Sequence, residues 1–420
     1  MDIEEVVKNN LCMGCGTCVA MCPQKAIEIA IDTKKGFYLP RLNKNKCNDC
    51  GTCYKICPGY EVDFKRLNLE IFRNEPEDIL IGNFSNCYVG YATDRDIRNN
   101  SSSGGLITAS LIFALENKMI DGALVTRMKK NNPLEPEPFI ARSRKEIIEA
   151  MGSKYCPVPV NIALKEILKE DGKFAVVGLS CQIHGIRKAE IINKKLKEKI
   201  ALHLGLFCSG TPTFFATDFM LKKLKVKKEN VKKISYRGPG WPGGFSVELK
   251  DGKSLFVPFE KYYHTGFGQY FHITRCKLCI DPTCEFADIS FADAWIQEIM
   301  RKDKTGTSIV VPRNEQGKKL LQNMVAKKAA IISEVAKKKV LSSQGGIWSL
   351  MYRKSDLRAR AVFNKTLPEY NTRLLDPTFR TYLDTAISRV GMSLASKRYL
   401  WMAMILYIRL LGYAQRVGAP

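Results

Sequence analysis

Residues 12–23 read CMGCGTCVAMCP and residues 47–58 read CNDCGTCYKICP. Both are C-x2-C-x2-C-x3-C-P, and the second repeats the first at an offset of 35. The chain has 15 cysteines, and eight of them fall in these two runs, so cysteine usage is concentrated and not scattered. An odd count excludes complete internal disulfide pairing. Met1–Asn10 (MDIEEVVKNN) contains no apolar stretch of the kind an export signal needs. The expectation is therefore a reducing compartment, where clustered cysteines point to metal ligation or redox chemistry. Zinc is the plain alternative. Structural zinc sites take four ligands in paired C-x2-C units, and a duplicated four-cysteine run fits that poorly.

The duplicated run resembles bacterial two-cluster ferredoxins. Three cysteines spaced two apart wrap one cubane, and the fourth turns away to ligate the partner cluster. The sets are then Cys12, Cys15, Cys18 with Cys57, and Cys47, Cys50, Cys53 with Cys22. Gly14, Gly16 and Gly51 allow the backbone close to each cluster. Two 4Fe–4S clusters would make a short wire for single electrons.

The remaining length, 420 residues in all, leaves room for at least one larger domain. Leu106–Asn117 reads as a buried helix. Gly122–Thr126, Phe174–Gly178 and Thr307–Pro312 read as short strands, and Arg144–Gly152 and Val160–Glu170 as amphipathic helices. Strands alternating with helices imply a parallel or mixed sheet. No G-x-G-x-x-G follows a strand. Ser101-Ser102-Ser103-Gly104-Gly105 before the helix could cradle a phosphate or simply cap the helix. Cys181 follows one strand-like run and Cys208 another, where α/β proteins bind ligands. Cys276 and Cys279 form a metal-type pair that needs two more ligands, with Cys181, Cys208 and Cys284 as candidates. Cys87 and Cys156 read as small core residues, and each of the four histidines could be core, surface or ligand.

Several motifs in order then identify the segment from about 85 to 310. They are Ser103-Gly104-Gly105, Gly152-Ser153-Lys154-Tyr155, Cys181-Gln182 with Gly185-Ile186-Arg187-Lys188, Gly205-Leu206-Phe207-Cys208, and Cys276-x2-Cys279 with Ala287-Asp288-Ile289-Ser290. This segment resembles the coenzyme F420 hydrogenase/dehydrogenase beta-subunit family. The resemblance implies FAD held by Ser103, Gly104, Gly105, Thr108, Gly152, Lys154 and Tyr155. It also implies a third 4Fe–4S cluster on Cys181, Cys208, Cys276 and Cys279, with Cys284 as an alternative ligand. The chain departs from the family pattern at Ser180, where a proline is usual, and at Ala292-Asp293, where Gly-Asp is usual; both put the substrate in doubt.

The expected architecture is α+β / α/β. It comprises a ferredoxin-like domain over residues 1–68, a mixed α/β flavin-binding domain over 85–340, and a basic helical C-terminal extension over 345–420. The implied activity is that of a coenzyme F420-dependent oxidoreductase of anaerobic metabolism. Hydride would pass between coenzyme F420 and FAD, and single electrons would pass through three clusters to or from ferredoxin or a partner subunit. A reductase of another substrate and a non-catalytic electron-transfer subunit remain as alternatives. No general acid or base stands out, so no catalytic side chain is named. Lys154, Arg187, Lys188, Arg237 and Arg275 are candidates for an acidic cofactor tail, or else ordinary surface charges.

The net charge is +24, and residues 301–420 carry 23 Lys+Arg against 7 Asp+Glu, a net of +16. No nucleic-acid-binding signature accompanies it, so nucleic acid is not an expected partner. The ten-residue apolar run Tyr399–Ile408 is too short to span a bilayer. Three readings of the extension stand open: an interfacial membrane helix, a docking helix for a partner, and a helix packed back on its own domain. The expected location is cytoplasmic, with peripheral contact at the inner face of the membrane left open. The lysine-rich segment 222–233 reads as a solvated loop or helix face.

Overall fold

The computed structural model describes residues 2–417, with the side chains of the last helix described as far as residue 411. Its centre is an eight-stranded mixed sheet. The strands are β1 (Tyr88–Ala92), β2 (Gly122–Met128), β3 (Pro136–Ala141), β4 (Phe174–Leu179), β5 (Ile200–Leu206), β6 (Ile289–Asp293), β7 (Ser308–Pro312) and β8 (Ala330–Glu334). Their order is β8-β1-β7-β6-β5-β4-β2-β3. The pairs β6/β5, β5/β4 and β4/β2 are parallel, and the flanking pairs are antiparallel. Residues of β7 are buried on both faces, as the run Ser308-Ile-Val-Val-Pro312 requires. Neighbouring residues feed opposite cores. Ala123 and Ala175 pack on one side with the helix α1 (Leu106–Glu116), and Leu124 and Val176 on the other with Ile183 and Ile186 of α2 (Ser180–Ile192).

The N-terminal repeat folds as two loops, each ending in a four-residue helix, Thr17–Ala20 and Thr52–Lys55, beside the hairpin Ile27–Asp32/Phe37–Leu42. Each helix follows a left-handed glycine, Gly16 (φ 88°) and Gly51 (φ 68°), a conformation that strains other residues. Met21, Ile56, Phe64 and Leu67 from this module join the core beneath β2 and β4.

The C-terminal extension is woven into the rest of the chain. Glu369–Tyr370 pairs in parallel with Glu61–Val62 of the ferredoxin-like module, and Tyr60 Oη donates to Glu369 Oε1 at 2.8 Å. It ends in two helices, α3 (Phe379–Ala395) and α4 (Trp401–Val417). Their inner faces bury Met392, Trp401 and Met404 in a cluster with Phe219, Phe267 and Phe271 that also takes in side chains of a small sheet formed by Val231–Ser235, Gly244–Leu249 and Ser254–Pro258. Packing back is thus realised for the inner faces. The lysine-rich segment 222–233 does not stay irregular: it closes a helix at Lys223 and opens a strand at Val231.

Candidate functional site

The carboxyl ends of two parallel strands lead into Cys181 and Cys208. β4 runs directly into α2, which sets Cys181 in the first helical turn, and Gln182 Oε1 accepts from Leu179 N at 2.8 Å to fix that corner. β5 ends just before Cys208, whose N–H donates to Pro282 O at 2.9 Å. Cys276 lies on the short helix Thr274–Leu278, and Cys279 caps its end. The four converge. Burial pushes the Cys181 thiol far up, and the nearby Cys15, Cys276, Cys208 and Cys279 push it further. Cys208 is pushed up to about 12 by burial and then by Cys276. Cys284 lies in the core, fully buried, with its Sγ directed at Gly178 O and packed on Gly205. Cys87 and Cys156 are also buried in apolar clusters.

The first repeat gathers Cys12, Cys15, Cys18 and Cys57. Cys12, Cys15 and Cys57 all press on the Cys18 thiol, after burial, to raise it. The second repeat is different. Cys22, Cys47, Cys50 and Cys53 line one cavity of about 180 Å³ that opens at the surface. Cys50 is exposed, and its thiol is lowered by the Thr52 hydroxyl. Among the described residues no three Cys, His, Asp or Glu side chains converge on a point fit for one ion. A zinc ion would need four thiolates at about 2.3 Å from one centre; the cavity lined by Cys22, Cys47, Cys50 and Cys53 suits a larger group.

Asn161 joins the first repeat to the third cysteine set. Its N–H donates to Cys15 O at 2.9 Å, and its side chain donates to Thr17 Oγ1 at 2.8 Å and to Gln182 O at 2.9 Å. Sequence reading missed Asn161 because a lone asparagine in an apolar stretch carries no spacing signal.

Around the third set lie buried cations without carboxylate partners. Arg275, Arg353 and Arg360 are nearly fully buried, and among the described residues none pairs with Asp or Glu. One guanidinium nitrogen each of Arg275 and Arg360, and both ring nitrogens of His272, have no hydrogen-bond partner. Orphaned donors of this kind are costly unless an anionic group faces them. A thiolate-ligated iron–sulfur cluster fits that requirement.

The residues assigned to FAD also meet. Ser102 Oγ accepts from Ser153 N at 2.8 Å, and Gly104 N donates to Ser308 Oγ at 2.9 Å, so the serine–glycine turn is pinned between Gly152–Tyr155 and β7. Thr108 lies in the first turn of α1, and Gly105 precedes it at φ 76°. Lys154 donates only to the carbonyls of Ala150, Met151 and Gly152. Burial lowers it to about 7, because desolvation disfavours the charged ammonium. Tyr155 Oη accepts from Arg237 Nη1 at 2.9 Å, and Arg237 pairs with Asp293 at 2.9 Å.

Beside them runs an aromatic stack. Trp241 lies on Trp295 (5.5 Å, 17°), Trp295 on Phe259 (5.5 Å, 15°), and Phe259 on Tyr263 (4.6 Å, 22°). A serine–glycine turn before a helix, next to stacked rings, is chemistry that fits a flavin nucleotide. The stack was illegible in sequence because its rings come from separate segments.

Three of the five cation candidates serve elsewhere. Arg187 is held by Asp288 and Glu190 in a buried network. Lys188 donates to Glu61 O and Cys57 O, and Arg275 to Gly59 O. Arg187 braces the α/β domain internally, and Lys188 and Arg275 staple that domain to the N-terminal module, so none of the three is open to an acidic tail.

Comparison with known proteins decides the family. Residues 87–165 and 171–338 match the N-terminal and C-terminal models of the coenzyme F420 hydrogenase/dehydrogenase beta subunit, and residues 11–60 match a 4Fe-4S dicluster domain. The chain belongs to this beta-subunit family. It is 30% identical over 247 residues to the coenzyme F420 hydrogenase subunit beta of Methanosarcina barkeri, covering 56% of this chain and 80% of the relative. It is 31% identical over 313 residues to a subunit of the F(420)H(2) dehydrogenase of Methanosarcina mazei, covering 72% and 82%. A chain of the F420-reducing NiFe hydrogenase complex from Methanosarcina barkeri superimposes with a TM-score of 0.52 at 23% identity, covering 69% of this chain and 99% of that one, a likeness of fold. Among the described residues no helix is long and apolar enough to cross a membrane.

Proposed function

We propose that this beta-subunit relative is an iron–sulfur flavoprotein that exchanges electrons between coenzyme F420 and one-electron carriers. On this reading Cys12, Cys15, Cys18 and Cys57 hold one 4Fe–4S cluster; Cys47, Cys50, Cys53 and Cys22 hold a second; and Cys181, Cys208, Cys276 and Cys279 hold a third. FAD sits on the Ser103–Gly105 turn with Thr108, Gly152, Lys154 and Tyr155. A bound flavin supplies the exchange between hydride and single electrons that iron–sulfur centres require. The chain's own residues do the rest. Lys154 offers its ammonium to a phosphate, the Arg237–Asp293 pair fixes Tyr155, and the aromatic stack excludes water from one side.

The observation that carries the reading is Asn161, which bonds both Cys15 O and Gln182 O and so holds Cys15 beside the Cys181 turn. It makes a continuous path from the strand ends of the α/β domain into the dicluster module. The exposed second set then suits delivery to ferredoxin or a partner subunit. The outer faces of α3 and α4 expose Phe379, Tyr382, Leu383, Val390, Met402, Leu406 and Leu410, with Tyr399 exposed between the two helices. No Asp or Glu follows Asp384. This combination supports peripheral contact with an anionic membrane surface.

Anaerobically purified protein mixed with reduced coenzyme F420 tests the reading. Bleaching of the flavin together with one FAD per chain on acid extraction is the expected result. Stoichiometric FAD that only ferredoxin or dithionite reduces would remove coenzyme F420, and absence of FAD would leave an electron-transfer subunit.

A further inference from the structure

Arg353 and Arg360 lie beyond the end of the family match at residue 338. They come from the helices Gly346–Lys354 and Leu357–Arg360 of the basic extension. Both are buried, at 8% and 0% exposure, a rare state for an arginine without a carboxylate partner. Arg353 Nε donates to Cys279 O at 3.0 Å and its Nη1 to Ser209 O at 3.0 Å. Arg360 Nη1 donates to Lys277 O at 2.8 Å and to Cys279 O at 3.4 Å, while its Nη2 has no partner. Two positive charges are thus fixed on the backbone that carries Cys276 and Cys279 and on the residue after Cys208. A guanidinium keeps its charge even when buried.

We propose that the extension supplies Arg353 and Arg360 to raise the reduction potential of the third cluster. The inference rests on the three-cluster reading above. Reduction adds one electron, and so one negative charge, to a cluster already held by four thiolates. Fixed cations stabilise that reduced state over the oxidised one, and net charge and hydrogen bonding are the protein's means of setting such potentials. The extension therefore poises the centre nearest the flavin site as an electron acceptor, a role for the basic residues distinct from any docking surface.

The test uses the full-length, cluster-loaded protein. Iron is counted first, and near twelve per chain is expected for three cubanes. EPR-monitored titration with dithionite then follows wild type, Arg353→Gln, Arg360→Gln and the lysine variants at both positions. The signal lost in Cys181→Ser identifies the third cluster. In either glutamine variant the ratio of reduced to oxidised third cluster at a fixed potential should fall about tenfold, equivalent to about 59 mV for one electron. The dicluster signals should not move, and the lysine variants should stay near wild type. Iron near eight in the wild type overturns the three-cluster reading itself. Full iron with an unmoved third-cluster midpoint overturns the electrostatic role alone. Loss of the third cluster from every variant, lysine included, also overturns it, because the arginines would then be structural supports only.

Discussion

Gly185→Ala probes how the dicluster module is held against the α/β domain. Gly185 lies on α2, one turn after Cys181, and a Cβ there would collide with Thr17 Oγ1 and press on Asn161 Nδ2 at 3.2 Å. Thr17 is fully buried and bonded to both Asn161 and the Cys15 thiol, so it has no free rotamer to yield. Overpacking of this kind costs about 1–3 kcal/mol, and loss of the Asn161–Thr17 hydrogen bond adds about 1 kcal/mol. Alanine returns up to about 1 kcal/mol through helix propensity. The net is a local loosening of about 2 kcal/mol, which is roughly thirty-fold in the opening equilibrium. Hydrogen exchange reads that equilibrium directly. The amides of Asn161 and Met21, which donate to Cys15 O and Thr17 O, should exchange about thirty-fold faster, while amides of β4 and β5 keep their protection. Unchanged or slower exchange at Asn161 and Met21 would show that helix propensity outweighs the clash and that the contact does not hold the module.

His203 bridges Glu190 Oε1 at 2.7 Å and Asp288 Oδ2 at 3.1 Å. Burial and Arg187 lower its pKa, but the two carboxylates win and the net shift is upward. Its stabilisation is full below the unfolded value of about 6.5 and is lost as pH rises through the folded value; guanidinium midpoints should decline over that rise in the wild type, and His203→Gln should flatten the slope. Cys181→Ser should lower iron by about four per chain, whereas Cys284→Ser should retain all iron and lose only stability, as iron assay and thermal melts will show. Lys154→Met should weaken flavin retention about tenfold or more, the scale of a charge-assisted hydrogen bond, measured by fluorescence titration of the flavin-free protein. Met402→Glu with Leu406→Glu should abolish co-sedimentation with phosphatidylglycerol vesicles; equal binding by wild type and variant would remove the membrane reading.

The parts of this protein that announce themselves in sequence are those whose chemistry demands a fixed spacing. The cysteine runs and the Cys276/Cys279 pair are local, and the residues at strand ends follow from short β-branched runs before small residues. The strands expected at Gly122–Thr126, Phe174–Gly178 and Thr307–Pro312 and the helix from Leu106 all form, within two residues at their ends. What stays hidden depends on distant partners. Asn161, the Trp241–Trp295–Phe259–Tyr263 stack and the arginines at 353 and 360 acquire meaning only when segments far apart in the chain meet. Arg187 and Lys188 show the converse. Their charge suggests a ligand, and tertiary pairing with Asp288 and Glu61 uses it instead.

Gly16 and Gly51 occupy equivalent places in the two repeats, and both need a left-handed backbone. A side chain at Gly16 would strike Ile162 and Pro159 O, but at Gly51 it would meet nothing within 4 Å. An asparagine, which tolerates that backbone, is therefore inadmissible at 16 on protein contacts alone, whereas at 51 no protein atom stands in its way. The two equivalent positions are thus under different steric constraint: Gly16 is fixed by its protein neighbours, whereas at Gly51 the left-handed backbone alone asks for glycine.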